Sequence, residues 1–234
     1  MFGAMPRDAP GLSHLIRRLR AFHGAPKAPP IRDPYRLLLW EQVAYLADDA
    51  TRLAAWRELK ARVGATPTAV TRARPADLRA VARVGGAIAV AQRAGRLRAV
   101  AERVLGVWDG NLDPVLRLPL AEARRELARY PGVGAAGAER ILLLCGSHAV
   151  LGLDSNALRV LLRLGFGRED KQWSRSYQSA QTAAQAELPA RVPALRGAFL
   201  LLRRHGQTLC RRSAPKCSEC PLQSGCPTGR RSLK

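Results

Sequence analysis

The segment Tyr130-Pro131-Gly132-Val133-Gly134 joins two stretches of sequence that both have helical periodicity, over residues 121–130 and 135–144. Two glycines so close together allow a tight turn with a positive φ angle. They also leave backbone N–H groups free at the start of the second helix, where the helix dipole favours an anion. The segment therefore predicts a helical hairpin, which either binds a phosphate group through residues 132–135 or simply connects two helices.

The same 3.6-residue spacing of apolar side chains extends through most of the chain. It predicts further helices at 35–46, 51–63, 75–83, 87–105, 154–164, 173–187 and 192–205. Asp33-Pro34 has the form of an N-cap followed by a proline at the first helical position. Because alternating runs of β-branched residues are absent, we predict an all-α fold with linkers at 25–31, 109–119 and 165–170.

Asp154 lies at the start of one predicted helix, in the sequence Leu153-Asp154-Ser155-Asn156. A residue of this type in this position usually caps the helix by accepting hydrogen bonds from its first N–H groups. Position alone therefore predicts a cap.

Four cysteines occupy the C-terminal tail with the spacing C-x6-C-x2-C-x5-C, at Cys210, Cys217, Cys220 and Cys226. The tail has too few apolar side chains to form a core, so bonds from thiolates to a metal site would have to order it. A structural zinc ion is one alternative, but zinc sites usually use two close cysteine pairs and only Cys217 and Cys220 form one. The spacing therefore favours an iron–sulfur cluster. The fifth cysteine, Cys145, follows an apolar run and is interpreted as a small buried side chain.

The composition adds a strong charge. The 234 residues include 39 lysines and arginines against 18 acidic residues, which gives a formal net charge of +21. Such a charge attracts polyanions, most commonly nucleic acid, although heavy use of arginine can also reflect coding bias. The hydrophobic content of 47% excludes general disorder, and the length suits one compact domain or two small ones.

No apolar run approaches the roughly 18 residues of a membrane span, and the first ten residues do not have the form of a secretory signal. We therefore expect a cytoplasmic protein, associated with the nucleoid if it binds DNA, and no membrane partner. In that compartment cysteines are more often metal ligands or free thiols than disulfides.

The hairpin, the Leu153-Asp154 element followed by Arg159-Val160, and the four-cysteine tail occur in an order that resembles the endonuclease III family of helix-hairpin-helix DNA glycosylases. The resemblance extends from about Asp33 to Cys226. It implies a six-helix barrel domain, here residues 33–148, beside a cluster domain made from residues 1–32 and 149–234. It also implies a [4Fe–4S] cluster on the four tail cysteines.

The resemblance further implies that the partner is double-stranded DNA with a damaged, mismatched or abasic nucleotide, bound by a monomer. The hairpin residues Gly132, Val133, Gly134 and Ala135 would contact the DNA backbone, and the target base would be flipped out of the duplex. Asp154 becomes the catalytic carboxylate, because breaking an N-glycosidic bond builds positive charge on the sugar. Asp154 can perform this role and still cap its helix.

The chain departs from the family at the position of the nucleophilic lysine. Bifunctional members carry that lysine two residues after the hairpin, where this chain has Ala136, and no lysine lies between Lys60 and Lys171. Arginine does not lose its proton to become a nucleophile. We therefore expect a monofunctional glycosylase with weak or absent AP-lyase activity, or alternatively a DNA- or lesion-binding protein that has lost most catalysis.

Lysine-free relatives share an element similar to Asp33-Pro34-Tyr35 with a glutamate six residues on, which is Glu41 here. In the adenine glycosylases that glutamate protonates the departing base. The apolar neighbours of Glu41 would favour the protonated carboxyl group that a general acid requires, although it can also be a surface residue. Trp40 and Tyr45 either line a base pocket or belong to the core, and we favour the core.

Two further segments depart from the family. The family places a glutamine-containing segment after this helix to fill the gap left by the flipped base, whereas this chain has Tyr45-Leu46-Ala47-Asp48-Asp49-Ala50. The segment Val84-Gly85-Gly86-Ala87 lacks the bulky wedge side chain of some members. Either substrate recognition differs from that of the family or the activity is low.

Overall fold

A computed structural model describes residues 10–231 of the chain. Within this range every regular element is helical and no strand occurs, which confirms the predicted all-α fold. Residues 1–9, on which the expectation about a secretory signal depends, lie outside the described range. Among the described residues no helix combines the length and the apolar character needed to cross a bilayer.

The α-helices are α1 (Leu12–His23), α2 (Pro34–Val43), α3 (Asp49–Arg62), α4 (Pro67–Arg72), α5 (Pro75–Val84), α6 (Val90–Trp108), α7 (Leu120–Ala128), α8 (Ala135–Cys145), α9 (Ser155–Leu164), α10 (Trp173–Glu187), α11 (Val192–Thr208) and α12 (Pro227–Arg231). Short 3₁₀ turns lie at Asp113–Arg117, Cys217–Glu219 and Gln223–Gly225. The sequence patterns did not predict α1, α4 or α12.

The chain divides into two compact units, one formed by Pro30–Cys145 and the other by the described residues up to Pro29 together with those from Gly146 onward. In the first unit α6 packs against α2, α4 and α5, and α7 packs against α8. In the second unit α11 packs against both α1 and α9, while α10 and α12 contact α9. The second unit is thus built from the two ends of the chain.

Helix α2 is the most buried element of the first unit. Asp33 caps it by accepting a hydrogen bond from the Arg36 backbone N–H at 2.7 Å, and Pro34 occupies the first turn as predicted. Buried side chains cover nearly its whole circumference. The helix ends at Val43, before the predicted end, and Leu46 adopts a left-handed backbone conformation with φ of 52°.

Candidate functional site

The hairpin between α7 and α8 adopts the turn that its glycines predicted. Gly132 has a φ of +76°, whereas Gly134 does not require a left-handed conformation. The positive φ favours glycine at position 132, and a Cβ atom there would lie 2.8 Å from Nη1 of Arg96, so that side chain would have to shift. The side-chain amide of Gln42 donates a hydrogen bond to the Pro131 carbonyl at 2.9 Å, which ties α2 to the turn. The hairpin is therefore a rigid turn with a cation beside it.

Glu41 forms an ion pair next to the hairpin. Its Oε2 accepts a hydrogen bond from Nη2 of Arg140 at 2.7 Å, and both side chains are mostly buried, with 21% and 15% of their surfaces exposed. Nη1 of Arg140 also lies 3.4 Å from the carbonyl oxygen of Ala136, the position where bifunctional relatives carry lysine. A guanidinium at this distance favours the charged carboxylate over the protonated form that a general acid needs.

Of the two aromatic residues next to Glu41, only one belongs to the core. Trp40 is buried and packs edge-to-face on Trp56, with 6.1 Å between ring centroids, which confirms the core interpretation for Trp40. Tyr45 is 53% exposed, so the core interpretation is wrong for Tyr45. The helix ends two residues before Tyr45, and the following loop turns it toward solvent.

Two neighbouring loops of the same unit expose apolar side chains. Leu46, in the loop after α2, is 70% exposed, and Ile88, between α5 and α6, is 52% exposed. The loops approach so closely that a Cβ on Gly85 would lie 1.8 Å from the Val43 carbonyl oxygen. The sequence analysis found no bulky side chain at residues 84–87 that could act as a wedge, and the structure exposes a bulky apolar side chain at the next position, Ile88.

Arg93 joins these two loops. It is 2% exposed and donates hydrogen bonds to the carbonyls of Val43 at 2.7 Å, Ala82 at 2.7 Å and Ile88 at 2.9 Å, and also to that of Gly86. The chain therefore uses a buried guanidinium to satisfy carbonyls that no helix satisfies.

The acidic residues after Leu46 have a local role. Asp48 caps α3, because its Oδ1 accepts a hydrogen bond from the Thr51 backbone N–H at 2.7 Å. This hydrogen bond holds the pKa of Asp48 below its ordinary value. Asp49 is the first residue of the helix, where a negative charge is favourable.

In the second unit Asp154 caps α9. Its Oδ1 accepts hydrogen bonds from the backbone N–H groups of Asn156 at 3.0 Å and Ala157 at 2.8 Å. Its Oδ2 accepts a hydrogen bond from Nε of Arg203, on α11, at 2.9 Å. The Asp154 side chain is 19% exposed and that of Arg203 is 13% exposed. Three donors thus hold the carboxylate in one orientation while leaving part of it accessible.

The four tail cysteines line one apolar cavity of the same unit. Backbone N–H groups of Leu222 and Gly229 lie 3.4 Å from the sulfurs of Cys220 and Cys226, respectively. Burial, with a further contribution from the other three cysteines and against the effect of the Leu222 N–H, raises the pKa of the Cys220 thiol to about 11. A positively charged group in the cavity would reverse this preference and hold the sulfurs as thiolates.

The cysteine sulfurs are not placed to share a single ion. No three His, Cys, Asp or Glu side chains within residues 10–231 are arranged to hold one metal ion. Tetrahedral zinc with bonds of about 2.3 Å needs sulfurs about 3.8 Å apart, whereas a cluster spreads its thiolates over several iron atoms.

Helix α9 connects Asp154 to the cysteine segment. Nε of Arg159 donates to the Cys210 carbonyl at 2.9 Å, and Nη1 of Arg163 lies 3.4 Å from the Cys210 sulfur. Both side chains leave the same face of α9, four residues apart. The sequence analysis did not predict these contacts. The one signal that could have indicated them is the four-residue spacing of the two arginines. Cys145 belongs to the other unit, at the end of α8.

No family model matches the chain. Endonuclease III of Thermotoga maritima is 25% identical over 203 residues, which cover 86% of each chain. The structure of a trapped endonuclease III–DNA covalent intermediate superposes with a TM-score of 0.76 and 20% identity, over 95% of this chain and 97% of that one. A thermostable thymine-DNA glycosylase gives a TM-score of 0.73 and 18% identity, over 94% of this chain and 97% of that one.

The structural likenesses define the class as the all-α helix-hairpin-helix fold. The chain is therefore similar in sequence to endonuclease III over most of its length, and it shares the fold of the endonuclease III structures.

Proposed function

We propose that this protein is a monofunctional DNA N-glycosylase, which binds duplex DNA around a damaged or mismatched nucleotide, flips the base and hydrolyses its bond to the sugar. The observation that carries the proposal is the carboxylate of Asp154, held by two backbone N–H groups and Arg203 at the start of α9. The similarity of the chain to endonuclease III over most of its length supports the same reaction.

Asp154 would stabilise the transition state. As the bond to the base breaks, the sugar becomes positively charged, and a carboxylate already fixed in place stabilises that charge without reorganising. Alternatively its accessible surface can orient the attacking water. Arg203 is a positioning residue in this scheme, because it holds Oδ2 while the helix N–H groups hold Oδ1.

DNA binding would use the hairpin. The proposed contact is at residues Gly132, Val133, Gly134 and Ala135. The first N–H groups of α8 have no acceptors within the helix and are available to a phosphate, whereas the Val133 N–H already donates to the Tyr130 carbonyl at 3.0 Å. Arg96 adds a charge beside Gly132. We propose Leu46 and Ile88 as the side chains that fill the space of the flipped base, since both are exposed on joined loops.

The lyase reaction would be weak or absent. A lyase step requires a neutral amine that attacks the sugar carbon and forms a Schiff base. Ala136 supplies none, and the unit that holds the hairpin contains a single lysine, Lys60 on α3. Arg140, which lies beside Ala136, stays protonated.

The four tail cysteines would hold a [4Fe–4S] cluster. Cys210, Cys217, Cys220 and Cys226 line one cavity, and their spacing along the chain resembles that of the family's cluster loop. When bound, the cluster would act as a structural element that replaces a missing apolar core. In this proposal the unit that includes the tail corresponds to the cluster domain of the family, and Pro30–Cys145 corresponds to the barrel.

One observation favours the alternative of a DNA- or lesion-binding protein with little catalysis. Both candidate catalytic carboxylates are paired with arginine, Glu41 with Arg140 and Asp154 with Arg203. An opposite charge at 2.7 to 2.9 Å reduces the field that either carboxylate exerts on a substrate.

End-labelled duplexes test the proposal. They carry thymine glycol, uracil or thymine opposite guanine, adenine opposite 8-oxoguanine, an alkylated purine or an abasic site, and each reaction is analysed with and without hot alkali. We expect cleavage of at least one duplex only after alkali. Asp154→Asn keeps the helix cap but removes the charge, so it should lower the rate by about 100-fold or more.

Asp33→Asn is a matched control, because Asp33 also caps a helix through a carboxylate oxygen and should tolerate the change. Cleavage without alkali would overturn the monofunctional assignment. Tight lesion binding without product in any reaction would favour the binding protein instead. Ala136→Lys should add a Schiff base that borohydride traps on the abasic duplex.

A further inference from the structure

An open groove of about 740 Å³ lies in the unit that contains the two chain ends. One face of α9, the connection from α9 to α10 and the C-terminal segment line it. Five basic side chains face the groove, those of Arg159, Arg163, Lys171, Arg212 and Arg231, against two adjacent carboxyl groups at positions 169 and 170. We call it the Trp173 groove, because that residue also lines it. None of the roles proposed above uses the groove itself.

Two of the five cations are fixed against the backbone. Arg159 donates to the carbonyls of Cys210 at 2.9 Å and Gly206 at 2.8 Å, and Arg163 donates to those of Arg211 at 2.7 Å and Arg212 at 3.1 Å. Since a carbonyl carries no net charge, these hydrogen bonds hold the guanidinium groups in place without neutralising them, and the one nearby group that would be anionic as a cluster ligand is the Cys210 sulfur, 3.4 Å from Nη1 of Arg163. The two guanidinium groups supply a permanent positive potential along the groove.

Two other cations are available for direct contact. Lys171 and Arg212 are exposed, and no hydrogen bond or ion pair joins either side chain to another residue in the described part of the chain. They can therefore close on a bound anion without breaking an existing interaction. Arginine and lysine of this kind bind phosphate groups.

Trp173 gives the groove a flat aromatic surface. It is 51% exposed, although it is one of the largest apolar side chains of the protein. Its ring stacks on that of the buried Tyr177, with 5.1 Å between centroids and 30° between planes. The hydroxyl oxygen of Tyr177 accepts a hydrogen bond from the Leu153 backbone N–H at 3.2 Å, so the ring that supports Trp173 is itself held in place.

We propose that the Trp173 groove binds an unpaired stretch of single-stranded DNA, with one base stacked on Trp173 and its phosphates contacted by Lys171 and Arg212. A positive groove combined with an exposed ring is how proteins bind single strands without reading sequence. A duplex does not expose the faces of its bases, so its bases cannot stack on Trp173. An acidic peptide would match the charge of the groove but does not require an aromatic ring for stacking. The proposal needs neither a damaged base nor Asp154, so it stands or fails separately from base excision.

Fluorescence anisotropy with the full-length protein tests the proposal. The first probe is a short labelled oligothymidylate, and the second is an oligomer of the same length made of abasic units, which has the same phosphates but no bases. Trp173→Ala should weaken binding of the oligothymidylate by between about 5-fold and 150-fold, as expected for the loss of one stacked base. It should leave the abasic oligomer unaffected. The double variant Lys171→Ser, Arg212→Ser should weaken both probes and reduce their salt dependence.

Tyr45→Ala is the matched aromatic control, because Tyr45 is 53% exposed but lies in the other unit. The double variant Arg17→Ser, Arg191→Ser is the control for charge. It removes the same two positive charges as the groove double variant, from exposed arginines of the same unit that do not line the groove. Neither control should reproduce the loss of binding that is expected of the groove variants.

Four results would overturn the proposal. The first three concern Trp173→Ala: unchanged binding of the oligothymidylate, equal weakening of both probes, or the same effect as Tyr45→Ala. The fourth is a competition result. Competition by thymidine monophosphate as strong, per nucleotide, as that by the oligomer would identify a free nucleotide as the ligand and would contradict the single strand. If Trp173→Ala fails to fold, Trp173→Phe should retain the preference for the oligothymidylate and Trp173→Leu should lose it.

Discussion

At the scale of single residues, the candidate carboxylates show how a side chain can serve structure and chemistry together. Asp154 keeps its helix cap while Arg203 fixes its second oxygen. Glu41 lies inside α2 rather than at its start, and it pairs with Arg140 on another helix. The two acids therefore differ in how far a neutral replacement preserves the local structure.

Replacing Glu41 with glutamine keeps its size and removes its charge. If Glu41 protonates the departing base, Glu41→Gln should slow excision by about 100-fold or more and remove the dependence on a protonated group from the pH–rate profile. Single-turnover rates across pH measure this. Arg140→Met is the control: equal effects of the two single variants, with no further loss in the double variant, would mean that Glu41 only holds Arg140.

Cys145 predicts a specific dependence of stability on pH. Burial, followed by the charges of Asp33 and Asp113, raises the pKa of its thiol to about 12 from an ordinary value of 9.0. Between these values the folded state keeps a proton that the unfolded state releases. The contribution of Cys145 is therefore complete below pH 9 and falls by about 1.4 kcal/mol per pH unit as the pH rises toward 12.

Urea unfolding of wild type and Cys145→Ala on both sides of pH 9 checks this prediction. The difference in unfolding free energy between the two proteins should shrink with rising pH. A constant difference would show that the thiol ionises as freely in the folded protein as in the unfolded chain.

At the scale of elements, Arg93 decides the geometry of two loops that carry exposed apolar side chains. Its guanidinium reaches carbonyls after α2 and on both sides of the α5–α6 loop. Gly85 permits the close approach, because any side chain there would collide with the Val43 carbonyl. The proposed DNA-filling residues Leu46 and Ile88 depend on this arrangement.

Arg93→Lys should therefore disturb both stability and function. A lysine keeps the charge but cannot serve all these carbonyls, so we expect a loss of at least about 3 kcal/mol in unfolding free energy. Excision and lesion binding should fall at temperatures where the variant remains folded. Arg98→Lys is the control, since Arg98 also lies on α6 and donates to the Thr71 carbonyl at 2.6 Å, away from both loops. If both variants lose only stability, and both keep normal excision and lesion binding while folded, the role of Arg93 in the loops is contradicted.

At the scale of the whole molecule, the two units are stabilised differently. Pro30–Cys145 contains a continuous apolar core along α2 and α6, whereas the segment from Cys210 to Cys226 has few buried apolar side chains besides Leu222. The net charge of +21 further opposes compaction of a chain that lacks a bound polyanion. The cysteine segment should thus be the part most dependent on the proposed cluster.

Removing the cluster by oxidation should expose this segment. We expect trypsin to cut first after Arg211, Arg212 or Lys216, while Pro30–Cys145 stays intact. Cys220→Ser should behave like the oxidised protein, and Cys145→Ala like the untreated one. The cluster would be contradicted by a colourless preparation with stoichiometric zinc, or by the same pattern of trypsin cleavage before and after oxidation.

Local patterns were sufficient for the helices and for the kind of chemistry. The bounds predicted for α10, 173–187, match the structure, and those of α8 and α9 differ by one residue. Periodic apolar residues and capping residues act over one or two turns, so they can be interpreted without the fold. The prediction failed at the end of α2, where the loop begins at Ala44 instead of after Leu46, and in α1 and α4, which are short or strongly basic and have only a narrow apolar stripe.

Local patterns could not predict which distant residues contact the candidate site residues. Asp154 meets Arg203 at a separation of 49 residues, Glu41 meets Arg140 at 99, and Arg93 meets the Val43 carbonyl at 50. In a chain with 39 basic residues, nothing local distinguishes the arginine that pairs with a given carboxylate. Most of the helices, the hairpin, the missing lysine and the cysteine spacing follow from residues that are neighbours along the chain, so they are predictable from sequence. The arginine that faces each acid and the apolar side chains that face water follow from packing, which brings distant segments together.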